Sequence, residues 1–82
     1  MAWQHTNDQL QRTYTFTDFR RAFAFMTEVA FAAEAAAHHP EWTNVYNRVT
    51  IHLTTHDAGN TVTEKDRTLA TEIDAIYARY AR

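Results

Sequence analysis

The sequence of 82 residues contains no cysteine, which excludes disulfide bonds and metal sites with thiolate ligands. A chain of this length folds as one small domain with a thin core, and it has no room for a second core. Because disulfides are absent, self-association is the remaining source of additional stability for such a core. We therefore expect residues 1–82 to form a single domain that assembles as a homodimer or homotetramer.

Positive charge and long apolar runs are also scarce. The formal net charge is −2 with neutral histidines, and the 8 basic residues are scattered, which disfavours direct nucleic-acid binding. No apolar run approaches the length that spans a membrane, and the first residues lack the basic and apolar regions of a signal peptide. These absences predict a cytoplasmic protein that contacts neither nucleic acid nor membrane.

The chain has one glycine and one proline, so each of them marks a structural boundary. The first segment has the alternation of β-strands. Trp3–His5 is a candidate strand, Asn7 and Asp8 are turn residues, and Leu10–Phe16 alternates with a period of two. This pattern predicts an N-terminal hairpin.

A long helix follows the hairpin. Thr17 or Asp18 is the candidate N-cap, and the helix should end near His39 because Pro40 disfavours helical geometry in the residue before it. Helical spacing relates the predicted buried positions, which are Phe19, Ala22, Phe23, Met26, Val29, Ala30, Ala33 and Ala37. Phe25 lies at the edge of this stripe. Phe31 lies off it, so it is either an oligomer contact or packed locally.

The second half of the chain predicts a strand and then a helix. Val45–Thr55 alternates between apolar and polar residues, and residues 57–60 are typical of a turn. Thr63 and Asp66 resemble a capping box at the start of a second helix. The buried stripe of that helix is predicted to be Leu69, Ala70, Ile73, Ile76, Tyr77 and Tyr80. The order strand-strand-helix-strand-helix predicts an α+β two-layer sandwich with both helices on one face of an antiparallel sheet.

Histidines are the candidate chemical groups, since their unperturbed pKa lies near neutrality. Glu34 and His38 are four residues apart, so on a helix they should be neighbours, either as a functional pair or as an ordinary surface pair. His38 and His39 can converge with His56 on one ligand only if the helix ends there and the strand ends near Thr55. Three other residues have ordinary roles in this interpretation: His5 and His52 are polar surface residues, and Asp66 favours the helix dipole.

A zinc site with three histidine ligands is the alternative to proton transfer. Metal-binding histidine pairs on helices stand at positions i and i+4, so that both rings face the same way. His38 and His39 are adjacent instead, and the sequence offers no other such helical pair. This spacing disfavours a metal.

Taken together, the spacing resembles the signature of the pterin-4a-carbinolamine dehydratase family. Glu34 is followed after three residues by His38-His39-Pro40, then after five by Tyr46, after nine by His56, and by an aspartate at a helix start. The resemblance extends from about Trp3 to Tyr77 and includes the segments Phe16-Thr17-Asp18-Phe19, Glu41-Trp42-x-Asn44-Val45-Tyr46-Asn47 and Leu53-x-Thr55-His56-Asp57-Ala58-Gly59. It departs at Asn60, where many members have a second glycine, and at the N-terminus, where members often have an additional helix.

The resemblance implies a hydro-lyase without a cofactor or metal, which dehydrates a 4a-hydroxytetrahydropterin to the quinonoid dihydropterin in pterin recycling. It implies that His38, His39 and His56 are catalytic. It also implies that the pterin is held by Glu34, Pro40, Thr55, Asp57 and Ala58 together with those histidines. Which histidine is acid and which is base stays open, because adjacent imidazoles titrate together.

The resemblance also leaves a second class of function open. Some animal members act as dimerisation partners of a homeodomain transcription factor, and other relatives are pterin-binding proteins linked to molybdopterin metabolism. A chain of this alternative kind would bind a pterin or a protein and have little dehydratase activity.

Overall fold

The computed structural model describes residues 3–80, and in that range it contains four strands and two α-helices. The elements are β1 (Gln4–Thr6), β2 (Gln9–Thr15), α1 (Phe19–Ala36), β3 (Glu41–Val45), β4 (Arg48–Leu53), a 3₁₀ turn (His56–Ala58) and α2 (Glu64–Ala78). All strand pairs are antiparallel, and the sheet order is β1-β2-β4-β3. The predicted α+β fold and its order of strand and helical segments are confirmed. Neither helix of residues 3–80 is long and apolar enough to cross a membrane.

The strand segment between the helices is a hairpin, and this corrects the predicted bounds of Val45–Thr55. β4 occupies the middle of that range, while β3 precedes it and was not predicted. The chain reverses at Tyr46, whose φ of 51° lies in the left-handed region, where bulky residues are uncommon. The Asn44 side chain stabilises the reversal because its amide donates to the carbonyls of Tyr46 and Arg48 at 3.1 and 2.8 Å.

Both helices cover one face of the sheet, and the core lies between the two layers. Alternate residues of β2 and β4 point into this core, including Tyr14, Val49, Ile51 and Leu53. Leu69, Ala70 and Ile73 of α2 are buried as predicted, whereas Ile76, Tyr77 and Tyr80 (just past the helix) are only partly buried against the core.

The buried face of α1 differs from the prediction. Phe25, expected at the edge, is completely buried, and its ring lies 4.9 Å from the rings of both Tyr14 and Phe16. Four residues of the predicted buried stripe are exposed instead: Phe19, Phe23, Ala30 and Ala37. The helix has apolar residues on two faces, and the aromatic contacts of Phe25 decide which face turns inward.

The helix ends follow the expected chemistry. Asp18 caps α1 by accepting from the Arg21 amide at 2.9 Å, and Thr63 caps α2 in a capping box with Asp66. Helix α1 ends at Ala36, before the predicted end near His39, because Ala37 adopts a left-handed conformation with φ 52° and ψ 40°. His38, His39 and Pro40, which follow Ala37 directly, are therefore not helical.

Asp74 of α2 joins the N-terminal hairpin to the helical layer. Its carboxylate accepts hydrogen bonds from Trp3 Nε1, Arg12 Nη1 and Tyr14 Oη at 3.0, 2.6 and 2.7 Å. Burial, together with the hydrogen bond to Asp74, raises the pKa of the Tyr14 phenol, so the hydroxyl stays protonated and donating. This cluster fixes the β1–β2 hairpin, whose turn lines a cavity at the surface of the protein.

Candidate active site

His39 and His56 line one cavity of about 410 Å³, together with Pro40, Thr54 and Asn60. His39 and Pro40 come from the connection after α1. His56 is the first residue of the 3₁₀ turn that follows β4. The residue before it, Thr55, forms an isolated β-bridge with Thr61. β4 ends at Leu53, so the condition that the strand ends near Thr55 is met, and His39 and His56 line the same cavity.

Glu34 interacts with His39, and this corrects the expected pairing with His38. The His39 ring is exposed, and its Nε2–H donates to Glu34 Oε1 at 2.9 Å. The expected pairing assumed a helix that continues through His38. Because Ala37 turns the chain out of the helix, His39 rather than His38 comes back over Glu34.

His56 is oriented by the turn that follows it. Its Nδ1–H donates to the side-chain oxygen of Asn60, and Gly59 and Asn60 have φ values of 85° and 60°. Asn60 thus adopts the left-handed geometry that asparagine tolerates. Within residues 3–80, neither Nδ1 of His39 nor Nε2 of His56 has a hydrogen-bond partner. Each ring therefore has one nitrogen that can exchange a proton with a ligand.

His38 lies in a different environment from its neighbour. It is buried, and its Nε2–H donates to Asp66 Oδ1 at 2.6 Å. His38 is not among the residues that line the cavity with His39. The structure therefore separates the two adjacent histidines and joins His38 to the start of α2.

Asp66 is the centre of a buried polar network. Its Oδ2 accepts from the hydroxyl of Thr55 at 2.7 Å and from the backbone amide of Thr63 at 2.8 Å. Since Thr55 donates its only hydroxyl proton to Asp66, the Thr63 hydroxyl must donate to Thr55, at 2.7 Å. Burial alone would raise the pKa of Asp66, but the hydrogen bonds from His38, Thr63 and Thr55 outweigh it and lower that pKa. Asp66 is consequently an anion that ties three segments together.

Of the remaining predicted substrate contacts, Pro40 alone lines the cavity, and Thr55, Asp57 and Ala58 do not. Pro40 lines the cavity, and Thr55 is buried in the Asp66 network. Asp57 and Ala58 are exposed within the 3₁₀ turn and are not among the residues that line the cavity. The turn that carries them does position His56.

Sequence reasoning missed one part of the cavity. His52, expected to be a surface residue, is half-buried and lines the cavity with Glu41 and the β1–β2 turn. The signal was present in the alternation of β4, which places residues 52 and 54 on the same face of the sheet. The alternation alone could not predict that His52 lines a cavity, because β3 and the β1–β2 turn enclose that face and β3 was not predicted. His5 is exposed, as expected.

A metal site was the alternative use of the histidines. Across residues 3–80, no group of three or more His, Asp or Glu side chains is arranged to hold a metal ion. Zinc sites in proteins use three or four side-chain ligands.

Comparison with known proteins identifies relatives along nearly the whole chain. Residues 1–76 match the family model described as Pterin 4 alpha carbinolamine dehydratase. A protein of Solibacter usitatus, provisionally named a pterin-4-alpha-carbinolamine dehydratase, is 58% identical over 77 residues, covering 94% of this chain and 80% of that one. A protein of Opitutus terrae with the same provisional name is 54% identical over 74 residues, covering 90% of this chain and 76% of that one.

Two solved structures are also similar. One, described as a transcriptional coactivator/pterin dehydratase from Brucella melitensis, aligns with a TM-score of 0.87 and 44% identity, covering 92% of this chain and 81% of that one. The other, a pterin dehydratase-like protein described as a RuBisCO assembly factor, has a TM-score of 0.76 and 24% identity, with 93% and 89% coverage. At that identity the second likeness concerns the fold alone.

Proposed function

Because the chain belongs to the pterin 4 alpha carbinolamine dehydratase family, we propose that it is a hydro-lyase that dehydrates a 4a-hydroxytetrahydropterin through His39 and His56. The observation that carries this proposal is the meeting of these two histidines in one cavity, each with one ring nitrogen lacking a partner within residues 3–80. The product, a quinonoid dihydropterin, is one that a reductase can return to the tetrahydro form. The proposed role is therefore pterin recycling.

The reaction requires two proton movements. A proton must be given to the 4a-hydroxyl as the C4a–O bond breaks, and a proton must leave the adjacent ring nitrogen as the C=N bond forms. One protonated and one neutral imidazole can perform both transfers near neutral pH without a metal. His39 and His56 are held by acceptors on one nitrogen, Glu34 and Asn60 respectively, so the rings are oriented before substrate arrives.

The geometry supports a positioning role for His38, which sequence analysis had grouped with the catalytic histidines. Its hydrogen bond to Asp66 fixes the connection that leads directly into His39 and Pro40. The same network holds Thr55, the residue before His56. In this proposal the pterin lies in the cavity against Pro40 and between His39 and His56. His38 holds the connection that carries His39 and Pro40 in place relative to the segment that carries His56.

A dehydration assay tests the proposal. Purified protein is treated with a chelator and dialysed, and a synthetic 4a-hydroxytetrahydropterin is added while absorbance follows water loss. We expect dehydration well above the spontaneous rate, with no gain when metal is returned. A rate equal to the spontaneous rate would refute the proposal, and activity that returns only with metal would favour the metal alternative.

We also propose that the chain self-associates with a second copy through α1 and β3. Five large apolar residues are about half or more exposed: Phe19, Phe23, Phe31, Val45 and Tyr46. Among the described strands, β3 pairs only with β4, so its outer edge presents unpaired backbone groups. A two-fold contact between copies would cover such an edge and bury apolar area that the small core lacks.

Sedimentation measures this association directly. Phe31→Gln removes the most exposed aromatic side chain, at 74% relative exposure, and should shift the protein toward monomer at micromolar concentration. Glu72→Gln, on the exposed surface of α2, is the matched control and should leave the mass unchanged. A monomeric wild-type protein would contradict the proposal.

A further inference from the structure

A second cavity lies between the end of α1 and the start of α2. Its volume is about 320 Å³, which is within the range of sites that take small molecules. The residues that line it are Ala36, His38, Glu64, Lys65, Thr68 and Leu69. His39 and His56 line the other cavity, so the reaction proposed above makes no use of this one.

His38 gives the second cavity a hydrogen-bond acceptor. The residue is only 8% exposed, and its Nε2–H donates to Asp66. Within residues 3–80 its Nδ1 has no hydrogen-bond partner, and no side-chain nitrogen or oxygen of that range is both fully enclosed and unpaired. Nδ1 is therefore the atom of this ring that reaches the cavity. Because Nε2 carries the proton, Nδ1 of the neutral ring accepts a hydrogen bond and cannot donate one.

Lys65 gives the rim of the cavity a positive charge. Its side chain forms no ion pair with any other residue of the described range, whereas the neighbouring Glu64 is paired with Arg67 at 3.5 Å. Lys65 lies in the first turn of α2, where the helix dipole disfavours a cation. Nothing within residues 3–80 thus neutralises this ammonium group, and an anionic ligand would do so.

The rest of the lining is largely apolar. Ala36 and Leu69 contribute methyl groups, and the aliphatic stem of Lys65 adds to them. An aromatic ring would cover such a surface and has no rotatable bonds of its own, so little conformational freedom is lost on binding.

We propose that this cavity binds a small aromatic carboxylate that carries a phenolic hydroxyl. The hydroxyl donates to Nδ1 of His38, the ring packs against Ala36 and Leu69, and the carboxylate pairs with Lys65. The site is separate from the cavity of His39 and His56, so the proposal stands or falls independently of the dehydration reaction.

Titration of the 82-residue protein with 4-hydroxybenzoate, followed by NMR, tests the site. We expect a dissociation constant of about 1 mM, which is ordinary for so small a ligand. Benzoate lacks the donor and should bind about 5-fold more weakly, the effect of one neutral hydrogen bond. Phenol lacks the carboxylate and should bind about 3-fold more weakly, the effect of one exposed ion pair.

Three variants locate the binding. Ala36→Phe fills the cavity and should abolish it, while Ala35→Phe, at an exposed neighbour outside the cavity, is the matched control and should retain it. Lys65→Gln should bind 4-hydroxybenzoate no more tightly than phenol. This last variant changes an exposed side chain, so it keeps the test valid if Ala36→Phe does not fold.

The imidazole ¹⁵N resonances give a readout that is specific to one residue. A hydrogen bond to Nδ1 should shift that resonance of His38 on saturation with 4-hydroxybenzoate and leave those of His39 and His56 in place. The proposal is overturned if wild type shows no saturable binding, if benzoate binds as tightly as 4-hydroxybenzoate, or if a folded Ala36→Phe variant retains affinity. Shifts at His39 and His56 without one at His38 would place the ligand in the other cavity and also overturn it.

Discussion

His38 and His39 are adjacent in the chain but differ in almost every physical respect. His38 is buried and donates to an anionic aspartate inside a polar network, whereas His39 is exposed at a cavity and donates to an exposed glutamate. The difference arises at Ala37, whose left-handed conformation turns the two rings to different sides. A histidine doublet in a sequence can therefore combine a buried structural residue with an exposed residue that lines a cavity.

The largest effect is expected from replacing the two histidines that share the cavity, His39 and His56. His39→Ala and His56→Ala should each lower kcat about 10²- to 10⁴-fold, the usual contribution of a general acid or base. Because both side chains are exposed, the free energy of unfolding should change by no more than about 0.5 kcal/mol. Steady-state kinetics and urea denaturation of the same samples check both expectations. Near wild-type turnover in both variants would show that the site is elsewhere.

On the buried side, Asp66→Ala should destabilise the protein by about 3 kcal/mol, because His38, Thr55 and the Thr63 amide all lose their acceptor. Asp66→Asn keeps the shape and part of the hydrogen bonding, so its loss should be smaller. Equilibrium urea denaturation measures both. A change below about 0.5 kcal/mol in Asp66→Ala would mean that the network is not a stabilising element.

A smaller effect is expected from acid, which should lower the free energy of unfolding by protonating Asp66 in the buried network. The folded-state pKa of Asp66 lies below its ordinary value, so the carboxylate contributes stability above the unfolded pKa of about 3.9. That contribution is lost as pH falls below this value through the lowered folded pKa. Denaturation at a series of pH values between 5 and 2 should show a steeper loss in wild type than in Asp66→Asn.

A second carboxyl group with a lowered pKa, that of Glu28, provides the control for this experiment. The hydrogen bond from Tyr80 lowers the pKa of Glu28, which lies away from the network. Glu28→Gln should remove only its own part of the pH dependence. If Asp66→Asn and wild type had parallel pH profiles, Asp66 would not be the group responsible.

The smallest effect is expected at Glu34. Glu34→Gln replaces the charged acceptor of His39 with a neutral one on a residue whose side chain is 80% exposed. Exposed ion pairs contribute about 0–1 kcal/mol, so stability should hardly change and kcat/KM should fall less than 10-fold. Kinetics across pH would detect any shift in the active protonation state. A loss as large as that of His39→Ala would assign Glu34 a direct part in the chemistry.

The sequence predicted much of this fold because local signals agreed with the tertiary structure. The N-terminal hairpin and the capping box of Thr63 and Asp66 were predictable from alternation and residue types. The hairpin at Tyr46 was not readable, because tyrosine gives no signal for a left-handed backbone. Phe25 was misplaced because α1 has two apolar faces, and only the Tyr14 and Phe16 rings decide between them.

The candidate site was predicted in outline for a related reason. Spacing identified His39 and His56, but the partner of Glu34 depended on a single residue, Ala37, leaving the helix. His52 joined the cavity only once β3 and the N-terminal hairpin enclosed the outer face of the sheet. Contacts of this kind depend on elements distant in sequence, which alternation and helical spacing do not report.

The most direct measurement compares the same substitution at the two adjacent histidines. Glutamine can place an amide donor near the position of Nε2 but cannot exchange protons at neutral pH. We predict that His38→Gln, which can still donate to Asp66, retains kcat within about 3-fold, while His39→Gln loses at least about 10²-fold. Equal losses in the two variants, or a larger loss in His38→Gln, would contradict the division between a structural and a chemical histidine.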